Sequence, residues 1–236
     1  MLHRGLAALF IGLSGLAVGA FAARGRDRSP APPRDPVQRM REIVGRPPRI
    51  APLCETEISE EARAISAQLG RAAGVEGGDG RHAAPEIVAT LLKHPRLYEK
   101  DLGLGLELLG RPIIAPRDRE LAVLRSAWLL GAPFEWGEHV LIGKRAGLTS
   151  AEIERITQGS AASGWSPRDR AVLRAAEELR ADAMIGDETW RELAAHLDEA
   201  QLIELTCVIG VYTKVAYMQN ALRLRLTPTN PGLTAR

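Results

Sequence analysis

The sequence predicts an almost wholly α-helical protein. Its aromatic residues are only four Trp, three Tyr and three Phe among 236 residues, whereas 45% of the chain is hydrophobic. The core must therefore consist largely of Leu, Ile, Val and Ala, a composition that suits packed helices better than a β-sandwich. Capping patterns at Thr149, Ser166 and Asp198 mark helix starts and favour the same all-α fold class.

The first 23 residues have the order of a targeting segment. A short basic stretch over 1–4 precedes an apolar run over 5–19, and Ala20-Phe21-Ala22 resembles a cleavage site. We expect a signal peptide and a periplasmic or exported protein. Two alternatives stay open. The uncharged run is long enough to remain as a membrane anchor, and a translation start at Met40 would leave a cytoplasmic protein without this segment.

Residues 24–53 are rich in Pro and Arg, and we predict a linker there, followed by one helical domain over 54–236. Residues 1–49 contain nine arginines and three acids, a net charge of +6, which leaves −4 for the remainder. Nucleic-acid surfaces interleave basic residues with aromatic ones, and the stretch 24–53 contains no aromatic residue. We therefore expect no nucleic-acid partner.

The helices are predicted from apolar residues at spacings of three and four, and their ends from proline, glycine and capping residues. The last helix is apolar on several faces between 202 and 215, which indicates burial by its own domain or by another subunit. In chain order, the predicted helices run over 59–73, from Pro85 to the His94-Pro95 break, over 97–109, from Pro116 to Gly131, from Pro133 onward, after Thr149, Ser166 and Asp187, and over 201–224.

The central stretch, residues 117–148, holds the candidate site. Gly131-Ala132-Pro133 separates two helices, because the residue before a proline is pushed away from the α region. In the second helix, Glu135 and His139 lie four residues apart and share one face, where the carboxylate orients the imidazole and favours its charged form. Glu120 of the preceding helix is a third polar residue able to converge on them.

From about Ala84 to Leu226 the chain resembles the carboxymuconolactone decarboxylase family, whose superfamily includes the alkyl hydroperoxidase D proteins. The peroxidase motif of that superfamily is Glu, eleven residues, Cys, two residues, Cys, three residues, His. Glu120 and His139 match its two ends, whereas Ala132 and Glu135 stand at the cysteine positions. The resemblance implies an all-helical bundle that forms a homo-oligomer, a trimer or a hexamer.

The decarboxylase branch implies a cofactor-independent lyase that acts on a small carboxylated lactone or a related acid. By this resemblance, His139 is the general acid/base, Glu135 its orienting partner, and Glu120 a proton relay or second base. Trp136 is interpreted as a packing residue that also forms a wall of the substrate pocket. The expected partner is a small-molecule substrate.

The wider family also implies a peroxidase or peroxiredoxin-type antioxidant protein, whose chemistry needs a nucleophilic thiolate. The motif positions supply no thiol, so this role would fall to Cys54 or Cys207, which lie outside the motif. A non-catalytic oligomeric binding protein is the third interpretation.

Other signals for a cofactor or a metal are missing from the sequence. It contains no Gly-rich phosphate loop, paired CxxC or dinucleotide fingerprint, and we predict no cofactor. Glu192 and His196 repeat the spacing of four residues, but on an amphipathic helix where we expect an exposed pair. A metal site would need ligands converging from other helices, so no bound metal is predicted.

Overall fold

Helix α5, Pro116–Leu130, lies at the centre of the molecule and packs against four other helices. The computed structural model describes residues 35–72 and 86–236, all within one compact unit, Ala31–Arg236. The predicted targeting segment over 1–23 and the start of the predicted linker lie outside the described residues. Leu121, Ala122, Val123 and Leu124 are fully buried in succession, so α5 is enclosed on all sides.

The described residues form ten α-helices and two short 3₁₀ turns, without a β-strand, which confirms the all-α prediction. Besides α5, the helices are α1 (Pro36–Ile43), α2 (Glu60–Ala72), α3 (Glu86–Leu91), α4 (Pro95–Gly110), α6 (Pro133–Arg145), α7 (Ser150–Gln158), α8 (Pro167–Asp182), α9 (Asp187–Ala194) and α10 (Glu199–Leu222), and the 3₁₀ turns are Glu55–Glu57 and Gly232–Thr234.

Helix α1 lies inside the segment that the sequence predicted to be a linker. Asp35 caps its start by accepting from the backbone N–H of Val37 at 3.0 Å, and Pro36 occupies the first turn. Arg39 donates to the carbonyl of Gly131 at 3.0 Å, and Met40 packs against the main core. The prediction of an unpacked linker therefore does not hold for this helix, because its contacts are with residues far along the chain.

Helix α10 crosses α5, α6 and α4 and is covered only in part. Leu205, Val208 and Ala216 are buried against the core, whereas Ile203 is 71% exposed and Tyr217 is 52% exposed. The domain itself therefore covers one side of this apolar helix. None of the helices in 35–72 and 86–236 is both long and apolar enough to cross a membrane.

The C-terminal residues fold back over α6. The Trp136 indole donates to the carbonyl of Ala235 at 3.0 Å, and the Asn230 amide donates to the carbonyl of Phe134 and to Glu138, both at 2.9 Å. Glu138 thus binds the protein's own C-terminal segment.

We expect Gly137→Ala to lower the free energy of unfolding, because a Cβ at this position would overlap the buried Asn230 amide. Overpacking of this kind costs about 1–3 kcal/mol. Urea denaturation should be measured for Gly137→Ala, Asn230→Ala and the double variant. The effects of the two substitutions on the free energy of unfolding should be strongly coupled, since removing the amide removes the overlap.

Gly103→Ala is the matched control, because nothing lies within 4 Å of a Cβ there and the residue is inside α4. It should raise the free energy of unfolding by about 0.5–1 kcal/mol. Equal effects of the two Gly→Ala substitutions would contradict the close packing of α6 against Asn230.

Candidate functional site

The site is built where α5 ends and α6 begins. Gly131 adopts a left-handed conformation with φ 55° and ends α5, a position that favours glycine. Ala132 is extended, as expected before proline, and Pro133 takes the first turn of α6. This tight connection allows α6 to pack against α5 and places His139 beside Glu120.

Glu120 and His139 form a buried hydrogen-bonded pair. The Oε2 atom of Glu120 lies 2.7 Å from Nδ1 of His139, and its Oε1 atom accepts from Nε of Arg119 at 2.8 Å. Glu120 is fully buried and His139 is 5% exposed. Both carboxylate oxygens are therefore engaged by basic groups, which compensates the cost of burying the charge.

Glu135 lies on the other side of the imidazole. Its Oε1 atom is 3.6 Å from Nε2 of His139, and this oxygen is buried without a hydrogen-bond partner among the described residues. Buried carboxylate oxygens are rarely left without a partner. The unsatisfied oxygen next to Nε2 marks the place where a reacting group would be held.

The two carboxylates have opposite pKa shifts. Burial acts to raise the pKa of Glu120, but the hydrogen bond and charge of His139, followed by those of Arg119, outweigh it and lower the pKa. For Glu135, burial raises the pKa, against the charge of His139 and the side chain of Gln219. The surroundings of the two carboxyl groups therefore move their pKa values apart, downward for Glu120 and upward for Glu135.

His139 has a raised pKa. Burial acts to lower its pKa, but the hydrogen bond and charge of Glu120, together with the charge of Glu135, outweigh burial and raise the pKa. The ring of Tyr212 packs edge-on against the imidazole, with centroids 4.8 Å apart. Burial raises the Tyr212 pKa, and the two site carboxylates add to this effect. Tyr212 therefore stays neutral and closes the site from the side of α10.

The structure brings Glu120, Glu135 and His139 together, as the spacing suggested, but with different contacts. The hydrogen bond that orients the imidazole comes from Glu120, whereas Glu135 was expected to supply it. Trp136 is fully buried beside Trp128, with ring centroids 4.9 Å apart, and binds the C-terminal segment. Trp136 is therefore a core residue, as expected for a packing role.

Three residues of the site were not found from the sequence. Arg119 stands next to Glu120, and its ion pair was not considered. Tyr212 and Gln219 are seven residues apart on α10, so they share a face two turns along the helix. Tyr212 and Gln219 could have been identified as polar residues on the buried side of an otherwise apolar helix.

The remaining candidates lie apart from this cluster. Glu192 and His196 form a partly exposed pair at 3.4 Å, as expected. Both cysteines are free, with Cys54 exposed and Cys207 partly buried. Within 35–72 and 86–236, no group of three or more His, Cys, Asp or Glu side chains is arranged to hold a metal ion.

The model of the carboxymuconolactone decarboxylase family matches residues 95–178, which include Glu120, Glu135 and His139. This part of the chain is similar to the carboxymuconolactone decarboxylase family. The matched region runs from the start of α4 into α8 and includes the whole α5–α6 connection. No curated protein matches the chain in sequence.

Solved structures share this fold. A protein of unknown function from Agrobacterium tumefaciens, described as a candidate antioxidant defence protein AhpD, has 18% identity and a TM-score of 0.54, covering 58% of this chain and 94% of its own. The apo debrominase Bmp8 has 16% identity and a TM-score of 0.59, covering 77% and 94%. A cysteine-to-alanine variant of Bmp8 in complex with 2,3,4-tribromopyrrole has 16% identity and a TM-score of 0.60, covering 77% and 93%.

We expect Glu120→Gln to destabilise the fold in a pH-dependent way. The lowered pKa of Glu120 stabilises the fold above its ordinary value of 4.5, and the raised pKa of His139 does so below its ordinary value of 6.5. The difference between wild type and variant should thus be greatest between these values, at about 3–5 kcal/mol. It should shrink as the pH falls below 4.5 or rises through the raised pKa of His139.

Denaturant unfolding from pH 4 to 9 measures this difference. Glu192→Gln removes the carboxylate of a partly exposed pair on α9 and is the control, with an expected change of less than about 1 kcal/mol. A constant difference for Glu120→Gln across the pH range would contradict a charged Glu120–His139 pair.

Proposed function

We propose that this protein is a cofactor-independent lyase that acts by general acid/base catalysis on a small carboxylated lactone or a related acid. The observation that carries the proposal is the imidazole of His139, held between Glu120, whose pKa is lowered, and Glu135, whose pKa is raised. Groups whose surroundings shift their pKa values apart are typical acid/base pairs. The similarity of residues 95–178 to the decarboxylase family supports the reaction class.

The chemistry needs one proton at one carbon atom. When the bond between the substrate and its carboxylate breaks, carbon dioxide leaves and the electron pair stays on the substrate, delocalised into the neighbouring carbonyl. Neutral Glu135, next to Nε2 of His139, donates a proton to that carbon and becomes a carboxylate. The imidazolium of His139 stabilises this new negative charge, and solvent returns the proton to Glu135.

The roles proposed from the structure therefore differ from those predicted from the sequence. Glu120 orients His139 and holds it charged, which makes Glu120 a positioning residue. Glu135 has the oxygen without a partner and is the group proposed to transfer the proton.

A thiol-dependent peroxidase is the alternative, and the arrangement of the thiols disfavours it. The family motif positions hold Ala132 and Glu135, and the two cysteines, Cys54 and Cys207, are free and lie outside the motif. Bmp8 is a debrominase, and its variant binds a small ring compound. We therefore include 2,3,4-tribromopyrrole beside the lactones as a candidate substrate.

We also propose that the protein is a homo-oligomer, a trimer or a hexamer. The support is the family resemblance and the apolar residues left exposed on α10, Ile203 and Tyr217. Light scattering at micromolar concentration tests this, and a stable monomer would remove it.

We expect Glu135→Gln and His139→Gln each to lower turnover by roughly 10²- to 10⁴-fold, the usual contribution of a general acid or base. The matched control is Cys54→Ala with Cys207→Ala, which should leave turnover nearly unchanged. A screen of carboxylated lactones, an organic hydroperoxide with a dithiol, and 2,3,4-tribromopyrrole identifies the substrate for these assays.

The pH dependence of protein stability tests the ionisation of Glu135 separately from turnover. Glu135→Gln should be more stable relative to wild type as the pH rises above 4.5, because burial raises the pKa of Glu135 and its ionisation then costs free energy. Turnover of the hydroperoxide that depends on Cys207 and persists without His139 would contradict the lyase proposal and favour the antioxidant function.

A further inference from the structure

The side chain of Gln219 on α10 carries a buried oxygen atom without a hydrogen-bond partner. Gln219 is 4% exposed, and no donor in 35–72 or 86–236 is bonded to its Oε1 atom. An amide oxygen can only accept hydrogen bonds, so a change of protonation does not satisfy it. Buried polar atoms nearly always have a partner, and a partner that the chain does not supply comes from water or from a ligand.

The position of Gln219 assigns this oxygen to the candidate site. Tyr212 lies seven residues earlier on the same face of α10, and its ring packs edge-on against His139. Burial raises the pKa of Glu135, and the Gln219 side chain, after the charge of His139, acts to lower it. An amide lowers the pKa of a carboxyl group by donating through its nitrogen, and the amide oxygen is bonded to the same carbon atom as that nitrogen. Oε1 of Gln219 therefore lies beside Glu135, whose own Oε1 also has no partner in the described residues.

The basic groups of the site donate to other acceptors. Nδ1 of His139 lies 2.7 Å from Oε2 of Glu120, and Nε2 of the same ring faces Glu135 at 3.6 Å. Arg119 donates through Nε to Glu120 at 2.8 Å and through Nη1 to the carbonyl of Leu109 at 3.2 Å. These contacts balance the buried charge and leave the amide oxygen of α10 available to a group on a bound molecule.

Asn220, the next residue along α10, provides a comparison. Its Oδ1 atom is also buried without a partner in the described part of the chain, but its nitrogen donates to the carbonyls of Leu130 and Gly131 at 3.3 and 3.4 Å. This amide is therefore held at the end of α5, about 100° around the helix from Gln219. Two neighbouring amides thus have the same kind of unpartnered oxygen, and that of Gln219 is the one beside Glu135.

We infer that the substrate carries an N–H or O–H group next to its reacting carbon, and that Gln219 selects the substrate by accepting this hydrogen at Oε1. The inference rests on the proposed function, in which Glu135 transfers a proton to that carbon. A simple lactone has only acceptor oxygens in its ring, so it would place an acceptor against the amide oxygen. The substrate class thus narrows to carboxylated rings with a hydroxyl or an N–H beside the carboxylate. A site that hydrogen-bonds such a group discriminates strongly against an analogue without it, because the buried partner is then left unpaired.

Titration calorimetry with the full chain tests this on three carboxylated five-membered rings that differ in one ring position. Pyroglutamate, a lactam, has an N–H beside the carboxylate-bearing carbon, its cyclopentanone counterpart has a CH₂ there, and its lactone counterpart has an oxygen. Pyroglutamate should bind about tenfold more tightly than the cyclopentanone, which lacks the hydrogen bond, and the lactone should bind most weakly. In none of the three is the carboxylate-bearing carbon bonded to the ring carbonyl, so the rings report binding without turnover.

Gln219→Met removes the acceptor and keeps the length of the side chain. The three rings should then bind with nearly equal affinity, because the thioether sulfur is only a weak acceptor. Asn220→Leu is the matched control, since it removes the other unpartnered amide oxygen together with the bonds to the end of α5. It should lower the Tm and preserve the wild-type order of affinities. A loss of selectivity in Gln219→Met, with a smaller change in Tm than in Asn220→Leu, is therefore not a folding defect.

Equal affinity of the wild type for pyroglutamate and the cyclopentanone would overturn the inference. Selectivity that Gln219→Met retains would also overturn it, because a bound water would then satisfy the amide oxygen. Tighter binding of the lactone would do the same, since the amide nitrogen would then face the ligand. No detectable binding of any ring at about 10 mM, the affinity of a weak ligand of this size, contradicts the inference as well.

Failure of the proposed function gives a different result. Selectivity for pyroglutamate that depends on Gln219, without turnover of any carboxylated ring, would contradict the lyase and leave the role of Gln219 in ligand selection intact.

Discussion

The buried pair of Glu120 and His139 is the interaction on which the rest of the structure depends. A carboxylate with no exposed surface is tolerated only because Arg119 and His139 engage both of its oxygens. This requirement fixes the angle at which α6 returns along α5, and the left-handed Gly131 makes that return possible. The same pair raises the pKa of His139, so that one set of contacts determines both the packing and the electrostatics of the site.

Helix α10 completes the site from the opposite side of the imidazole, and its buried face carries both apolar and polar residues. Most of its inward residues are apolar and pack on α5, whereas the Tyr212 ring packs against the imidazole and the Gln219 side chain interacts with Glu135. Both residues are buried. The opposite charges of the site are thus enclosed in a region of low polarity, where their interactions are strong.

Much of the fold and of the site could be predicted from the sequence, and the remainder depends on contacts distant along the chain. The helix ends could be predicted because Pro116, Pro133 and the capping residues act locally. Glu120 and His139 could be predicted from their spacing in the motif. The helix α1 was missed because Arg39 and Met40 are stabilised by residues beyond position 130. The role of Trp136 and the hydrogen bond from Glu120 were not predictable for the same reason, since both are set by how helices pack.

The C-terminal segment over α6 has a consequence for the order of folding. Glu120 and His139 are 19 residues apart, so the pair closes a short loop. The contacts that cover the other side of α6 join residues 89 to 99 positions apart, through Glu138 with Thr227 and Trp136 with Ala235. Distant contacts form more slowly than local ones, because the chain must first lose more conformational entropy. The face of α6 that carries His139 is therefore assembled early, and its outer face is covered late by the C-terminal segment.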